Sequence, residues 1–438
     1  MGGRNVINTK DDRITKMYPD AIFIGAINYD YIFQGNASNG KIFVFHGLEE
    51  GDEALRWERN NGSFDVKIQE MYENYDFKSK QIGGSAYLAL RAFKAFDNNL
   101  KAAYVGVCGT PSQLDINRGI NFNEKAFEMI DNKEWFFNFY NTESDGDYIV
   151  GRSCVLLDKN STRGSIVIDP CVNDKLLELI KEKEEEGEDF TDFLSKSRWI
   201  HITSLADFNS FLELIDYIKK AKIINPFLKI SCDLGSEYTK YKRNELIKNR
   251  VFEVFDFIFL SGKELDNLMV NPKNSKMNLN KNMKILFQAN RGANQQILVT
   301  KYENKYELYN KIDERINKKT FWQERLKFQD IINDTGAGDF FAGGFIGGML
   351  SDRLLSHQPT PIEIGSIVAK ERLKVNSIDE ACYKANIATK EFIEKLFLDE
   401  ELNLGQLVKL KWTQVKNAWI FSVIVSFIIG IITGAIMR

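Results

Sequence analysis

Histidine is scarce in this 438-residue chain: His46, His201 and His357 are the only three, and they stand far apart. That dispersal offers neither a histidine-based metal site nor a catalytic triad. The five cysteines, Cys108, Cys154, Cys171, Cys232 and Cys382, are odd in number, widely spaced and mostly inside apolar runs. They exclude a disulfide framework and fit reduced core thiols of a cytosolic domain. A basic stripe interleaved with aromatics is also missing, and the formal net charge is −3, so nucleic acid is excluded as a partner. The start, Met1-Gly2-Gly3-Arg4-Asn5-Val6, has no apolar signal-peptide core, and Val6 stands where a myristoylation motif needs Ser or Thr. A flexible polar arm is expected over residues 1–17.

Long uncharged runs are absent until the end of the chain. There, Ala418 to Met437 is twenty residues without a charge. A helix of that length spans ~30 Å, the thickness of a bilayer core. A single-pass anchor is expected over 418–437, after a linker at 401–417. Lys409, Lys411 and Lys416 precede it and Arg438 follows. The positive-inside rule then leaves the preceding domain facing the cytoplasm, with membrane lipid as a partner of the tail. Ala418, Ser422, Ser426, Gly430 and Gly434 form a stripe of small side chains, and Gly430 to Gly434 is a Gly-x-x-x-Gly motif that fits a homodimer through the tail.

What is present points to one large α/β domain, since a chain of this length buries a substantial core. Short apolar runs at 21–26, 102–109, 199–202, 228–234, 254–260 and 296–300 alternate with helical patterns such as 209–220. Such alternation predicts a mostly parallel sheet with helices on both faces. The most informative stretch is Asn333-Asp334-Thr335-Gly336-Ala337-Gly338-Asp339, followed at once by the apolar Phe340 to Phe345. Small residues let successive N–H groups converge on one point, and a helix starting there adds its positive dipole end. That is an anion site, with phosphate as its usual guest. Asp339 beside it fits a base that takes the proton of an attacking hydroxyl.

The string resembles the signature of the ribokinase-like (phosphofructokinase B) carbohydrate kinases, with Thr335 to Asp339 in register and Asn333 and Asp334 departing from it. The resemblance implies an α/β kinase domain over 18–400, with a ribokinase-like central sheet and a small β lid mainly within 31–82. It implies phosphotransfer from ATP, with Mg2+, to a hydroxyl of a sugar or sugar-like molecule. Asp339 is the expected base, and the N–H groups of Gly336, Ala337 and Gly338 are expected to stabilise the transferring phosphoryl. Asn28 and Asp30, expected at the end of the strand formed by the first apolar run, match the family's sugar-binding Asn-x-Asp. Gly83 and Gly84 match its Gly-Gly substrate floor, although Ser85 and Leu88 stand where Asn is common. A nucleoside acceptor within the same family, or a tethered pseudokinase that binds without turnover, are the alternatives.

Two further matches carry departures. Ser261-Gly262-Lys263-Glu264 is in register with the family's Asn-x-x-Glu, which gives Glu264 a place near Mg2+; the same residues also spell a helix capping box. Thr300 matches the start of the nucleotide-binding Thr-x-Gly, but Lys301 and Tyr302 follow with no glycine. Asn386, in Ala385-Asn386-Ile387-Ala388, resembles the helix that borders the adenine pocket.

Overall fold

Continuous apolar runs, rather than alternating ones, become the middle of the sheet because helices cover both of its faces. The computed structural model describes residues 18–35, 52–55, 64–117, 127–139, 148–157, 163–203, 205, 207–268, 297–301, 305–312, 315–322, 335–351, 361–375 and 377–401. The strands in chain order are β1 Ala21–Ile24, β2 Asn28–Gln34, β3 Asp52–Leu55, β4 Asp76–Gly83, β5 Ala102–Cys108, β6 Phe136–Asn138 and β7 Gly151–Leu157. They continue as β8 Arg163–Asp169, β9 Trp199–Thr203, β10 Lys229–Asp233, β11 Phe257–Ser261, β12 Ile297–Lys301, β13 Lys305–Ile312 and β14 Arg315–Trp322. Among the described residues they form two sheets, ordered β14-β13-β12-β11-β10-β9-β1-β5-β6 and β3-β8-β7-β2-β4.

From β12 to β6 the large sheet is parallel, as the sequence predicts, and β13 and β14 extend it as antiparallel edge strands. Alternate residues of each strand feed two cores. Phe23, Tyr104, Trp199, Phe257 and Phe259 pack with the helices Ser85–Phe96 and Ala337–Leu350. Ile24, Val105, Ile202, Ile230 and Ile258 pack on the other face with the helix Phe208–Ile224. Phe341 and Phe345 set the Ala337–Leu350 helix against β11, with ring centroids 6.1 and 5.3 Å from Phe259.

The structure corrects one expectation. Asn28 and Asp30 do not end the first strand. That strand stops at Ile24, and the Asn-x-Asp opens β2 in the second sheet. At the break the Tyr104 hydroxyl, from a strand far along the chain, lies 2.9 and 3.0 Å from the carbonyls of Gly25 and Ala26 and takes up their acceptor capacity in place of a neighbouring strand. The second sheet, expected mainly within 31–82, also takes strands from later in the chain. It pairs β2 with both β4 and β7, and β7 with β8, so about half of it comes from residues 151–169. The helix Phe64–Asn74 backs it, through Phe64, Ile68 and Met71.

Among the described residues no helix is long and apolar enough to cross a membrane. The 418–437 span, the 401–417 linker after its first residue, the 1–17 arm, and the turn's entry at Asn333 and Asp334 lie outside the described residues.

One buried residue makes the fold sensitive to acid. His201 in β9 is wholly enclosed, with its Nδ1 2.9 Å from Ser231 Oγ and the rings of Phe23 and Phe259 each 5.9 Å away. Burial pulls its pKa from 6.5 down to about 4. The unfolded chain therefore takes up this proton before the folded one does. Stability held above pH 6.5 is lost as pH falls through 4, by roughly 3 kcal/mol for a shift of this size. Denaturant unfolding at pH 7 and pH 4.5 is expected to show a steeper loss for the wild type than for His201→Phe. Parallel losses in the two proteins would remove His201 as the cause.

Candidate functional site

Ligands of open parallel sheets bind beyond the carboxyl ends of the strands. Here Asp233 ends β10, Ser261 ends β11 and Lys301 ends β12. Pairing aligns the last two, with Ser261 opposite Lys301.

One wall of the cleft is the start of β2. In register, Asn28 lies between Gly83 of β4 and Gly151 of β7, while Asp30 lies opposite Ser153. The Ser153 hydroxyl donates to Asp30 Oδ1. Asp30 is only 5% exposed, and its Oδ2 would stand 1.8 Å from a Cβ on Gly83. Glycine at 83 is thus what makes room for the carboxylate. Gly84 follows at φ 102° and caps the Ser85–Phe96 helix, a backbone state that costs glycine little. Asn28 Oδ1 accepts a 3.0 Å hydrogen bond from Asn173 Nδ2, and Asn173 also bonds both polar groups of the Ile27 backbone. Ser153 and Asn173 carry no signal in the sequence, because a lone Ser in a strand and a lone Asn in a turn are ordinary. The pairing of β2 with β7 brings Ser153 here, and the short 3-10 segment Cys171–Lys175 that follows β8 brings Asn173.

The other wall is the glycine turn. Gly336 sits at φ 80°, and the helix Ala337–Leu350 begins immediately after it. Phe340 N donates to Gly336 O at 2.9 Å, so Asp339 lies in the first helical turn. A Cβ on Gly336 would come 2.7 Å from Leu88 Cδ1, 3.7 Å from Asp339 Oδ2 and 3.8 Å from Arg372 Nε. Leu88, which departs from the family pattern, is therefore the apolar support of the turn. Leu88 and Gly84 belong to successive turns at one end of the Ser85–Phe96 helix, and Leu88 N bonds Gly84 O. The Asp30 wall and the Asp339 wall thus meet on a single helix terminus. Arg372, fully buried, holds the turn from behind and donates from Nη1 to Val375 O at 2.7 Å.

Lys301 lies against the glycine turn. Its Nζ is 3.1 Å from Asp233 Oδ2 and would be 2.6 Å from a Cβ on Gly338. Its side chain is 16% exposed and that of Asp233 12%. Burial alone lowers the ammonium's pKa, but the carboxylates of Asp233, Glu264 and Asp339 outweigh burial and the pKa is raised. In the sequence Lys301 stands only as the unassigned residue between Thr300 and Tyr302, where the family's glycine is missing. Neither Lys301 nor Asp233 was legible, since a long side chain's direction is set by strand register.

Glu264 does form the capping box: Ser261 N donates to its Oε2 at 2.6 Å, and Glu264 N donates to Ser261 Oγ at 3.2 Å. That bond also orients the carboxylate whose charge reaches Lys301. Among the described residues no group of His, Cys, Asp or Glu is placed to hold a metal ion directly. Thr300 lies in β12 opposite Leu260 and Glu307, one residue before Lys301, and Tyr302 is outside the described residues. Asn386 stands apart from the cluster. Its Nδ2 donates to Ala95 O at 2.7 Å, two turns along the Ser85–Phe96 helix from Leu88, so here it ties two helices together.

Beside Lys301 is a cavity of ≈ 170 Å³ lined by Tyr306, Phe321, Trp322, Ile362, Ser366 and Phe392. Tyr306 is the cross-strand partner of Lys301, and its ring stacks on Phe341 of the helix that carries Asp339, with centroids 4.4 Å apart.

No protein-family model and no curated protein matches the chain. Solved structures do. An adenosine kinase from Schistosoma mansoni in complex with 2-fluoroadenosine is 13% identical, with a TM-score of 0.63 over 83% of this chain and 97% of that one. The Anopheles gambiae adenosine kinase in complex with P1,P4-di(adenosine-5) tetraphosphate is 15% identical, with a TM-score of 0.64 over 83% and 98%. A ribokinase from Giardia lamblia is 13% identical, with a TM-score of 0.57 over 86% and 99%. At these identities the likeness is one of architecture, and the chain has the ribokinase-like fold that adenosine kinases and ribokinase share.

Proposed function

We propose that the chain transfers the terminal phosphoryl group of ATP to a hydroxyl of a sugar or a nucleoside. The observation that carries this reading is the convergence of two carboxylates with different surroundings on one helix terminus. Asp30 is fixed by Ser153 over Gly83, as a hydroxyl-binding acceptor needs to be. Asp339 sits beside a turn of backbone N–H groups at a helix start, as a base for attack on phosphorus needs to be. The acceptor oxygen forms the new bond to phosphorus, its proton passes to Asp339, and the electron pair of the broken bond leaves with ADP. N–H groups of Gly336, Ala337 and Gly338 face the charge that develops. The aromatic cavity beside Lys301 suits a nucleobase, which stacks on ring faces.

Mg2+ is implied by the fold, and it supplies charge neutralisation to ATP. The carboxylates of Asp233, Glu264 and Asp339 all act on the Lys301 charge, yet among the described residues none forms a direct chelating group, which fits an ion that would keep most of its waters. Asp233 and Glu264 would accept hydrogen bonds from those waters.

A second reading, binding without turnover, is favoured by the Lys301 ammonium lying over the turn that phosphate oxygens would approach. Coupled ADP release over a panel of free sugars and nucleosides separates the two. Acceptor-dependent release is expected. ATP binding with no release for any acceptor would establish the second reading, and no ATP binding would overturn both.

The uncharged 418–437 run supports a membrane anchor with the kinase domain on the cytoplasmic side. The full chain is expected to resist extraction from membranes by alkaline carbonate, and a chain ending at residue 417 to be released. Equal extraction of the two would remove the anchor.

A further inference from the structure

We propose that Lys301 is the phosphate-gripping cation of this site, meeting the nucleotide's phosphate oxygens where they approach the 336–338 turn. The proposal rests on the nucleotide reading above and names a residue role within it. Four observations carry it. Lys301 is the last residue of β12, at the carboxyl edge of the sheet, level with Ser261 of β11. Its side chain packs on Gly338, with Nζ 2.6 Å from where a Cβ of that residue would stand, so the ammonium lies against the first turn of the Ala337–Leu350 helix. A lysine ammonium has three donors, and Asp233 accepts one of them at 3.1 Å. Finally, the site is heavily acidic: the carboxylates of Asp233, Glu264 and Asp339 all act on this one ammonium.

That last point decides between a structural and a functional lysine. A polyphosphate entering such a site meets three negative charges at short range, and like charges a few ångströms apart repel strongly in a half-buried cleft. The dipole end of one helix amounts to roughly half a charge and does not offset three carboxylates. A full positive charge held at the turn does much of that work. It also makes nucleotide binding partly independent of a divalent ion, because the chain brings a cation of its own.

The test is calorimetry on the full chain with ATP and with inorganic tripolyphosphate, each in the presence of EDTA. The wild type is expected to bind both. Lys301→Met is expected to weaken both by roughly 10–100-fold, the range for losing a charge-assisted contact, with Lys301→Arg recovering most of the loss. In steady-state kinetics the Met variant should show a raised KM for ATP and a lowered kcat, with the acceptor's KM unchanged. A lysine that serves only as the counter-ion of Asp233 would instead shift the unfolding midpoint and leave both affinities as they are. That result overturns the proposal. Because the Met variant is not assured to fold, the wild type supplies its own measurement: tripolyphosphate should protect Lys301 from amine acylation, read by mass spectrometry. Unchanged labelling at saturating tripolyphosphate would also overturn it. Wild-type turnover retained in Lys301→Met sinks the role of Lys301 alone. A wild type that binds neither ATP nor tripolyphosphate sinks the nucleotide reading, and Lys301's role with it.

Discussion

Asp339→Asn is expected to lower turnover by ~10²–10⁴, the contribution of a positioned general base, while affinity for the acceptor is retained. The expectation follows from where the carboxylate is held. Asp339 lies in the first turn of the Ala337–Leu350 helix, and its Oδ2 is 3.7 Å from where a Cβ of Gly336 would stand. The substitution keeps the shape and the capping place of the side chain and removes only its basicity. An Asp in the first turn of a helix also has a purely structural use, since a negative charge there favours the dipole by a fraction of a kcal/mol. The two uses separate cleanly. A dipole role predicts a slightly lower unfolding midpoint with turnover near normal, and that pattern of results would rule out Asp339 as the base.

Asp30→Ala is expected to weaken acceptor binding by roughly 1–3 kcal/mol, the worth of hydrogen bonds to a charged acceptor, and to leave nucleotide affinity alone. Gly83→Ala reaches the same contact by another route. Its new Cβ would lie 1.8 Å from Asp30 Oδ2, so the carboxylate must swing out of the place where Ser153 holds it. The acid is still present in this variant, but it is misplaced. Titration calorimetry with the acceptor identified by the ADP-release panel should therefore show a similar loss for both variants. Full affinity in Gly83→Ala beside a loss in Asp30→Ala would mean that the carboxylate acts through its charge alone. Full affinity in both would take Asp30 out of the site.

The residues legible in the sequence are those whose local structure is written in their immediate neighbours. Thr335 to Asp339 could be read because a left-handed turn and a helix start are local events, and the glycine at φ 80° is where the string places it. The capping box of Ser261 and Glu264 is equally local, and both of its hydrogen bonds form. Asn28 and Asp30 were found as a pair, yet their strand was misassigned. Whether the chain continues in one sheet or crosses to another at Gly25 depends on the Tyr104 hydroxyl, 79 residues away. The lid shows the same effect on a larger scale, since β7 joins β2 across more than a hundred residues and no local pattern announces a parallel partner.

By itself, then, the sequence determined the parallel sheet, through apolar runs too continuous for a half-exposed strand, and the glycine turn with the acid that follows it, through glycine's freedom at one position. The tertiary structure alone decided what surrounds that acid. Lys301 and Asp233 end two strands of one sheet, Ser153 arrives from β7 and Asn173 from the 3-10 segment after β8, and Arg372 reaches the turn from a later helix. Each of these depends on strand register or helix packing between segments distant in the chain. A one-residue slip in register would turn such a side chain to the opposite face, and so the charge balance of the cleft could be settled only by the folded molecule.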